Sequence, residues 1–400
     1  MSIRLRVVAA TLTTGLALAA CAAAPVDPRP SASAVPGYAT KLRPELEELV
    51  RDLLVTGAVV RVRSADLGDW TGAFGTRTFR GTDPVQPGDH VRIGSVTKTW
   101  TGTVVLQLVD EGRLRLADPV ATYRPDVPNG AAITVEQLLT MRSGLGNYTA
   151  SPELNRILDT APETVFPPEE LIRIGLAEPV RFPPGQGYFY SNTNTALLGR
   201  IIEQITGNPL ATEFERRIFA PLRLGGSAFP ATSNALPSPH PNGYTYGTNV
   251  ETIDTNVLSP EKQAAAAAGT LAPIDVTFSN PSWAWSAGAG ISTSDDLANY
   301  AEALVGGGLL GPAMQHTRLA SIQPVDPADP QSVGYGLALA KFGPMYGHTG
   351  ELPGFNTFVG HDPTRKITVV VWASLAPAPD GRAPAVEMAR MVIGELYGRG

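Results

Sequence analysis

Strand-forming patterns stand at the two ends of this chain and helix-forming patterns lie between them. That order restricts the possible fold more than any other feature. Near the start, "GAVVRVRSADLGDWTGAFGTRT" (57–78) alternates around an aspartate- and glycine-containing turn, the pattern of an antiparallel hairpin. Near the end, "MYGHTGELPGFNTFVGHDPTRKITVVVWASL" (345–375) contains three strand-like runs separated by turn residues. Helix patterns flank both, "KLRPELEELVRDLLV" (41–55) before and "PAVEMARMVIGELYG" (384–398) after. Strands so far apart along the chain share one core most simply by joining one antiparallel sheet, covered by the terminal helices, with the helical middle inserted. The expected class is α/β of the α+β type. The sheet part takes about 38–115 and 285–400, and the helical part about 116–284.

A chain that is 43% hydrophobic and 17% charged can fill the large core this needs, and its net charge of −6 argues against nucleic acid as a partner. The first residues belong to something else. Arg4 and Arg6 precede the apolar run "VVAATLTTGLALAAC", which is too short to span a membrane and has the make-up of a signal peptide. Leu18-Ala19-Ala20-Cys21 resembles a bacterial lipobox, so Cys21 is the expected lipidation site, residues 1–21 a lipoprotein signal and 22–37 a flexible Ala/Pro/Ser-rich tether. The folded domain then spans 38–400. The protein is expected to be exported and held by lipid on the outer face of a bacterial cell membrane, or in the periplasm. Cys21 is the only cysteine, which excludes a disulfide framework and a cysteine metal site. The five histidines (90, 240, 316, 348, 361) show no metal-ligand spacing.

Chemistry concentrates in three short motifs. "RIGSVTKTW" (92–100) puts Ser95 and Lys98 three apart at a helix start, where the two side chains share a face. A lysine there can act as a base if burial lowers its pKa, and the helix start supplies N–H groups for an oxyanion. Serine-x-x-lysine alone is weak evidence, because such a serine is usually a helix cap. A second copy, Ser259-Pro260-Glu261-Lys262, has proline at the first helical position and is assigned to capping. Tyr190-Ser191-Asn192 is the only Y-x-N, and offers a tyrosine acid/base and an amide able to bind a substrate carbonyl and hold Lys98. His348-Thr349-Gly350 is the only [KH]-T-G, with a glycine that permits close backbone approach.

In this order the motifs resemble those of the penicillin-recognising serine hydrolases, which include class C β-lactamases, D-alanyl-D-alanine carboxypeptidases and related esterases. The similarity runs from about 40 to 398 and takes in "ITVEQLLTMRSGL", "SAGAGISTSDDLANYAEAL" and "GYGLAL". The resemblance implies a β-lactamase/transpeptidase-like fold with Ser95 as the acylated nucleophile, Lys98 as its activating partner and Tyr190 as general acid/base. Asn192, His348, Thr349, Gly350 and Glu351 would bind substrate, with the N–H groups of Ser95 and Glu351 as the oxyanion hole. No metal or organic cofactor is implied. The activity implied is most like that of a D-alanyl-D-alanine carboxypeptidase or class C β-lactamase, on a β-lactam, a D-Ala-D-Ala peptide or an ester; a carboxylesterase of the same family and a non-catalytic lipid-anchored envelope binding protein are the alternatives. One departure bears on substrate: Glu351 is acidic where relatives often carry a hydroxyl, and it would repel a terminal carboxylate unless Lys341 or a protonated His348 offsets it. Trp283 and Trp285 are expected either to wall the cleft or to pack between the two parts of the fold.

Overall fold

The computed structural model describes residues 35–329 and 332–398. Cys21 and residues 22–34 of the expected tether lie outside them.

Helix α1 (Gly37–Asp52) buries Ala39, Leu42, Leu46 and Val50, one face of an amphipathic pattern. The hairpin of β1 (Gly57–Arg63) and β2 (Trp70–Gly75) follows, paired from Gly57 with Gly75 to Val62 with Trp70. Next, Val91–Arg92 makes a short antiparallel ladder with Ile291–Ser292, outside the main sheet. It leads through a 3-10 turn (Gly94–Val96) into α2 (Thr97–Asp110), which is buried on nearly every side. That helix carries threonines at 97, 99, 101 and 103, and each satisfies its hydroxyl locally or across the core, so an all-round buried helix tolerates them. Helix α3 (Asn192–Thr206) packs against α2. Helix α4 (Ser294–Gly306) starts at Thr293, whose side chain accepts from Asp296 N.

The C-terminal part supplies β3 (Gln323–Pro324), β4 (Gly334–Tyr335), β5 (Ala340–Phe342), β6 (Met345–Leu352), β7 (Phe355–Asp362) and β8 (Ile367–Ala373), and then α5 (Pro384–Tyr397). Among the described residues the main sheet has the order β2-β1-β8-β7-β6-β5-β4-β3, antiparallel throughout. The N-terminal hairpin therefore joins the C-terminal strands along β8, as the sequence order requires. Both faces of β8 are covered. Val369, Val371 and Ala373 share a cluster with α1 and α5, while Val370 and Trp372 join the larger cluster that holds α2, α3 and α4. A strand buried on both faces reads as a continuous apolar run, which is why "ITVVVWA" does not alternate.

Side chains cap the helix starts at Thr134 and Ser259, the second of them expected from the sequence. Thr134 accepts from Gln137 N while the Gln137 side chain accepts from Thr134 N, a reciprocal capping box. Ser259 accepts from Lys262 N and caps the helix Pro260–Ala267.

Candidate active site

Ser95 sits in the 3-10 turn ahead of α2, and its side chain caps nothing. Instead its Oγ is hydrogen-bonded to Lys98 Nζ at 2.8 Å, and Nζ also donates to the Ala287 carbonyl at 2.8 Å. Lys98 is completely buried, and among the described residues no carboxylate pairs with it. Desolvation therefore lowers its pKa well below that of an ordinary lysine, towards a neutral amine that can take a proton from Ser95. Its acceptor is held from several sides. The turn Trp285–Gly288 is entered with Trp285 at a φ of 32°, Thr101 Oγ1 donates to Ser286 O, and Ser286 Oγ donates to Thr195 O on α3.

Two glycines bring the central strand β6 against the Ser95 turn. A Cβ on Gly350 would lie 1.9 Å from Ile93 O and 3.2 Å from Ser95 N. A Cβ on Gly94, at φ +51°, would lie 2.4 Å from Glu351 N. Backbone thus meets backbone: the Gly94–Ser95 segment lies directly against the Gly350–Glu351 segment of β6, with the amide nitrogens of Ser95 and Glu351 both at this contact. Paired N–H groups beside a nucleophile are the arrangement that stabilises an oxyanion. The glycine of H-T-G was expected to admit substrate; what it admits here is the nucleophile turn.

Tyr190 lies where its ring faces Lys98, with Nζ 4.9 Å from the ring centroid. Burial pushes its hydroxyl pKa above the usual tyrosine range, partly opposed by an interaction with Ser95. A neutral tyrosine beside a neutral lysine holds the same number of protons as a tyrosinate beside an ammonium, so the pair can pass one proton between them without changing net charge. The loop that carries Tyr190 is pinned by Ser191 Oγ donating to Gly146 O and Asn192 N donating to Asn147 Oδ1.

Three expectations about this neighbourhood need correction. Asn192 does not hold Lys98: its side-chain amide donates to Thr149 Oγ1 at 3.3 Å, while Lys98 is held by Ser95 and Ala287. His348 is no cation. Its Nδ1 faces Thr349 O at 2.5 Å and so carries the hydrogen, while Nε2 accepts from Tyr335 OH at 3.2 Å. Both ring nitrogens are then used by the neutral form, and burial with Lys98 nearby pushes the pKa down to about 3. Lys341 does not reach the cleft either; its Nζ stands over the ring of Tyr346, 5.3 Å from the centroid. Thr349 is half-buried on β6 between His348 and Gly350.

Ser95, Asn192 and Glu351 line a cleft of about 420 Å³ with Leu158, Trp283, Leu352 and the segments 245–256 and 274–284. Of the two tryptophans only Trp283 faces it, since Trp285 is packed in the core against Gly199. Several residues escaped the sequence reading. Tyr335, inside the quoted "GYGLAL", stacks edge-on to Tyr190 and His348 with centroids 6.1 and 5.6 Å away. The Ala287 carbonyl and Asn356, which donates to Glu351, carry no sequence signal because their roles arise from contacts between distant segments.

The Beta-lactamase family model matches residues 46–390. The chain belongs to the β-lactamase family. A crystal structure of a D-stereospecific amidohydrolase from Streptomyces sp. is similar over 90% of this chain and 99% of its own, with 31% identity and a TM-score of 0.74. The esterase EstB of Burkholderia gladioli is 25% identical over 82% of this chain and 90% of its own length. A penicillin-binding protein, PbpX of Bacillus subtilis, is 26% identical over 49% of this chain and only 46% of its own length. The antiparallel sheet with flanking helices is thus the fold shared by β-lactamase-family hydrolases, as the motif resemblance implied.

Proposed function

We propose that this protein is an acyl-enzyme hydrolase of amides and esters, acting on short D-amino-acyl substrates whose leaving group carries no carboxylate. The observation that carries it is the 2.8 Å contact between Ser95 Oγ and a fully buried Lys98. Neutral Lys98 takes the Ser95 proton as Oγ attacks the carbonyl carbon, and the N–H groups of Ser95 and Glu351 hold the resulting oxyanion. Tyr190, kept protonated by burial, gives its proton to the leaving group and is reprotonated by the Lys98 ammonium. Water then attacks the Ser95 ester, its proton passing through Tyr190 to Lys98, and Lys98 returns a proton to Ser95 Oγ as the acyl–oxygen bond breaks, which restores the serine hydroxyl and the neutral amine. Asn192 lines the same cleft as Ser95 and can receive the substrate there, and His348, neutral and hydrogen-bonded at both ring nitrogens, packs on Tyr190. A D-stereospecific amidohydrolase of Streptomyces and the esterase EstB among the relatives support amide and ester chemistry, and the stereospecificity of the former supports the D series.

A D-alanyl-D-alanine carboxypeptidase or a β-lactamase must accept a substrate carboxylate near β6. Here that strand offers Glu351, a neutral His348 and no free lysine, so we place those two activities behind the neutral-amide reading. D-alanyl-glycinamide and D-alanyl-glycine differ only in terminal charge and decide the matter. The expected result is faster turnover of the carboxamide, lost in Ser95→Ala; faster turnover of the free acid would restore the carboxypeptidase reading. We also propose export and lipid anchoring through Cys21, on the strength of the N-terminal sequence. Release of the protein into the soluble fraction by Cys21→Ala is the expected result, and unchanged membrane association would refute it.

A further inference from the structure

The cleft beside Ser95 is lined by three carboxylates among the described residues, Asp159, Asp275 and Glu351. Two are already committed. Asp159 accepts from Asn249 N, Asn249 Nδ2 and Val250 N, and Asp275 accepts from Asn242 Nδ2 and from Thr277 N and Oγ1. Glu351 accepts one hydrogen bond, from Asn356 Nδ2 to Oε2 at 3.0 Å, and has no ion-pair partner among the described residues. Arg92, the only basic residue in the lining, is buried and donates through Nη2 to the carbonyls of Asn234 and Thr277. The cleft therefore presents an uncompensated negative charge next to the nucleophile.

Asn356 is a built support for that carboxylate. It is buried, its Oδ1 accepts from Ala385 N at 2.9 Å, and its Nδ2 also reaches Gly350 O at 3.3 Å. The carboxylate is both crowded and wetted: surrounding protein raises its pKa, to about 7, while more than a third of the residue meets solvent through the cleft, which keeps the group ionisable near neutrality. Position adds the rest. Glu351 N lies against the turn that carries Ser95, 2.4 Å from where a Cβ on Gly94 would stand, so the side chain on the same residue starts beside the nucleophile. A substituent on the acyl Cα lies only two bonds from that carbonyl carbon.

Resting on the acyl-enzyme reading, we propose that Glu351 is the anchor for a free, protonated α-amino group on the acyl part of the substrate, and that the site selects amino-acyl substrates with an unblocked amine. Leu158, Trp283 and Leu352 line the same cleft and suit an apolar side chain on that amino acid. Charge-assisted hydrogen bonding from an ammonium to a fixed carboxylate is worth about 10- to 100-fold in affinity.

The test is calorimetric titration of the full-length Ser95→Ala protein with phenylalaninamide, each enantiomer separately, and with 3-phenylpropanamide, which lacks the amine. The better enantiomer is expected to bind at least about tenfold tighter than the amine-free amide. Adding Glu351→Gln, which keeps the acceptor for Asn356, should abolish that difference while thermal unfolding shows the protein folded. Equal affinities, no binding of the amine, or a preference that survives Glu351→Gln would each overturn the proposal. Failure of the acyl-enzyme reading registers separately, as hydrolysis that persists in Ser95→Ala, and leaves this binding comparison intact.

Discussion

Replacing Gly350 by alanine perturbs the site without touching a single polar side chain. The added Cβ would stand 1.9 Å from Ile93 O, whereas real Cβ atoms keep at least 3.0 Å from a neighbour, so β6 and the Ser95 turn must separate by about 1.1 Å. Ile93 O is a backbone atom and cannot swing aside as a flexible side chain would. A displacement of that size moves Glu351 N away from the oxygen it must hold while leaving Ser95 and Lys98 on their shared helix face. Loss of one oxyanion donor costs about 10²–10³-fold in turnover, or about 2.7–4 kcal/mol. The strain of forcing β6 outwards adds a destabilisation of about 1–3 kcal/mol. Hydrolysis of a p-nitrophenyl ester, with thermal unfolding measured in parallel, checks both numbers. Gly225→Ala is the control, since a Cβ there meets nothing within 4 Å. Folded Gly350→Ala protein with kcat/KM within about threefold of wild type would refute the claim that these two glycines assemble the oxyanion site.

Three further outcomes are expected. Lys98→Met should lower kcat/KM by about 10²–10⁴-fold, and the wild-type rate should show no rise centred on an ordinary lysine pKa, because burial holds that of Lys98 well below it; a rate still climbing through the ordinary lysine range would contradict this. His348, neutral in the fold with a pKa near 3 against 6.5 when unfolded, stabilises the protein fully above pH 6.5 and loses that contribution as pH falls; about 1.4 kcal/mol per pH unit should disappear below about pH 6, and His348→Gln should flatten the slope by that amount in denaturant titrations. Ser259→Ala should cost about 1 kcal/mol of stability through the lost cap and leave ester hydrolysis unchanged, whereas lost activity would mean that the wrong serine-x-x-lysine was assigned to structure.

How far the sequence could be read depended on the range of the interaction. The strands at the two ends, the terminal helices and the Ser259 cap were legible because periodicity and cap chemistry act over a few residues. Ser95 and Lys98 were legible together for the same reason: three residues apart, one in the 3-10 turn and the other in the first turn of α2, they meet locally. Long-range partners were not. That Lys98 leans on Ala287 O rather than Asn192, and that Tyr335 fills the acceptor of His348, depends on segments up to 189 residues apart. Charge states were the least readable, since the neutrality of His348 and the raised pKa of Glu351 come from burial that only the assembled core creates. The glycine of H-T-G carried the right signal, close approach, with a different partner from the one expected.

The central claim is covalent catalysis at Ser95. The most direct measurement is the mass of the intact protein quenched in acid during turnover of p-nitrophenyl acetate, followed by peptide mapping. The expected result is a single added acetyl group on the peptide containing Ser95 and none in Ser95→Ala. Substrate consumed with no acetyl adduct on trapping, or an adduct mapping to any other residue, would contradict it.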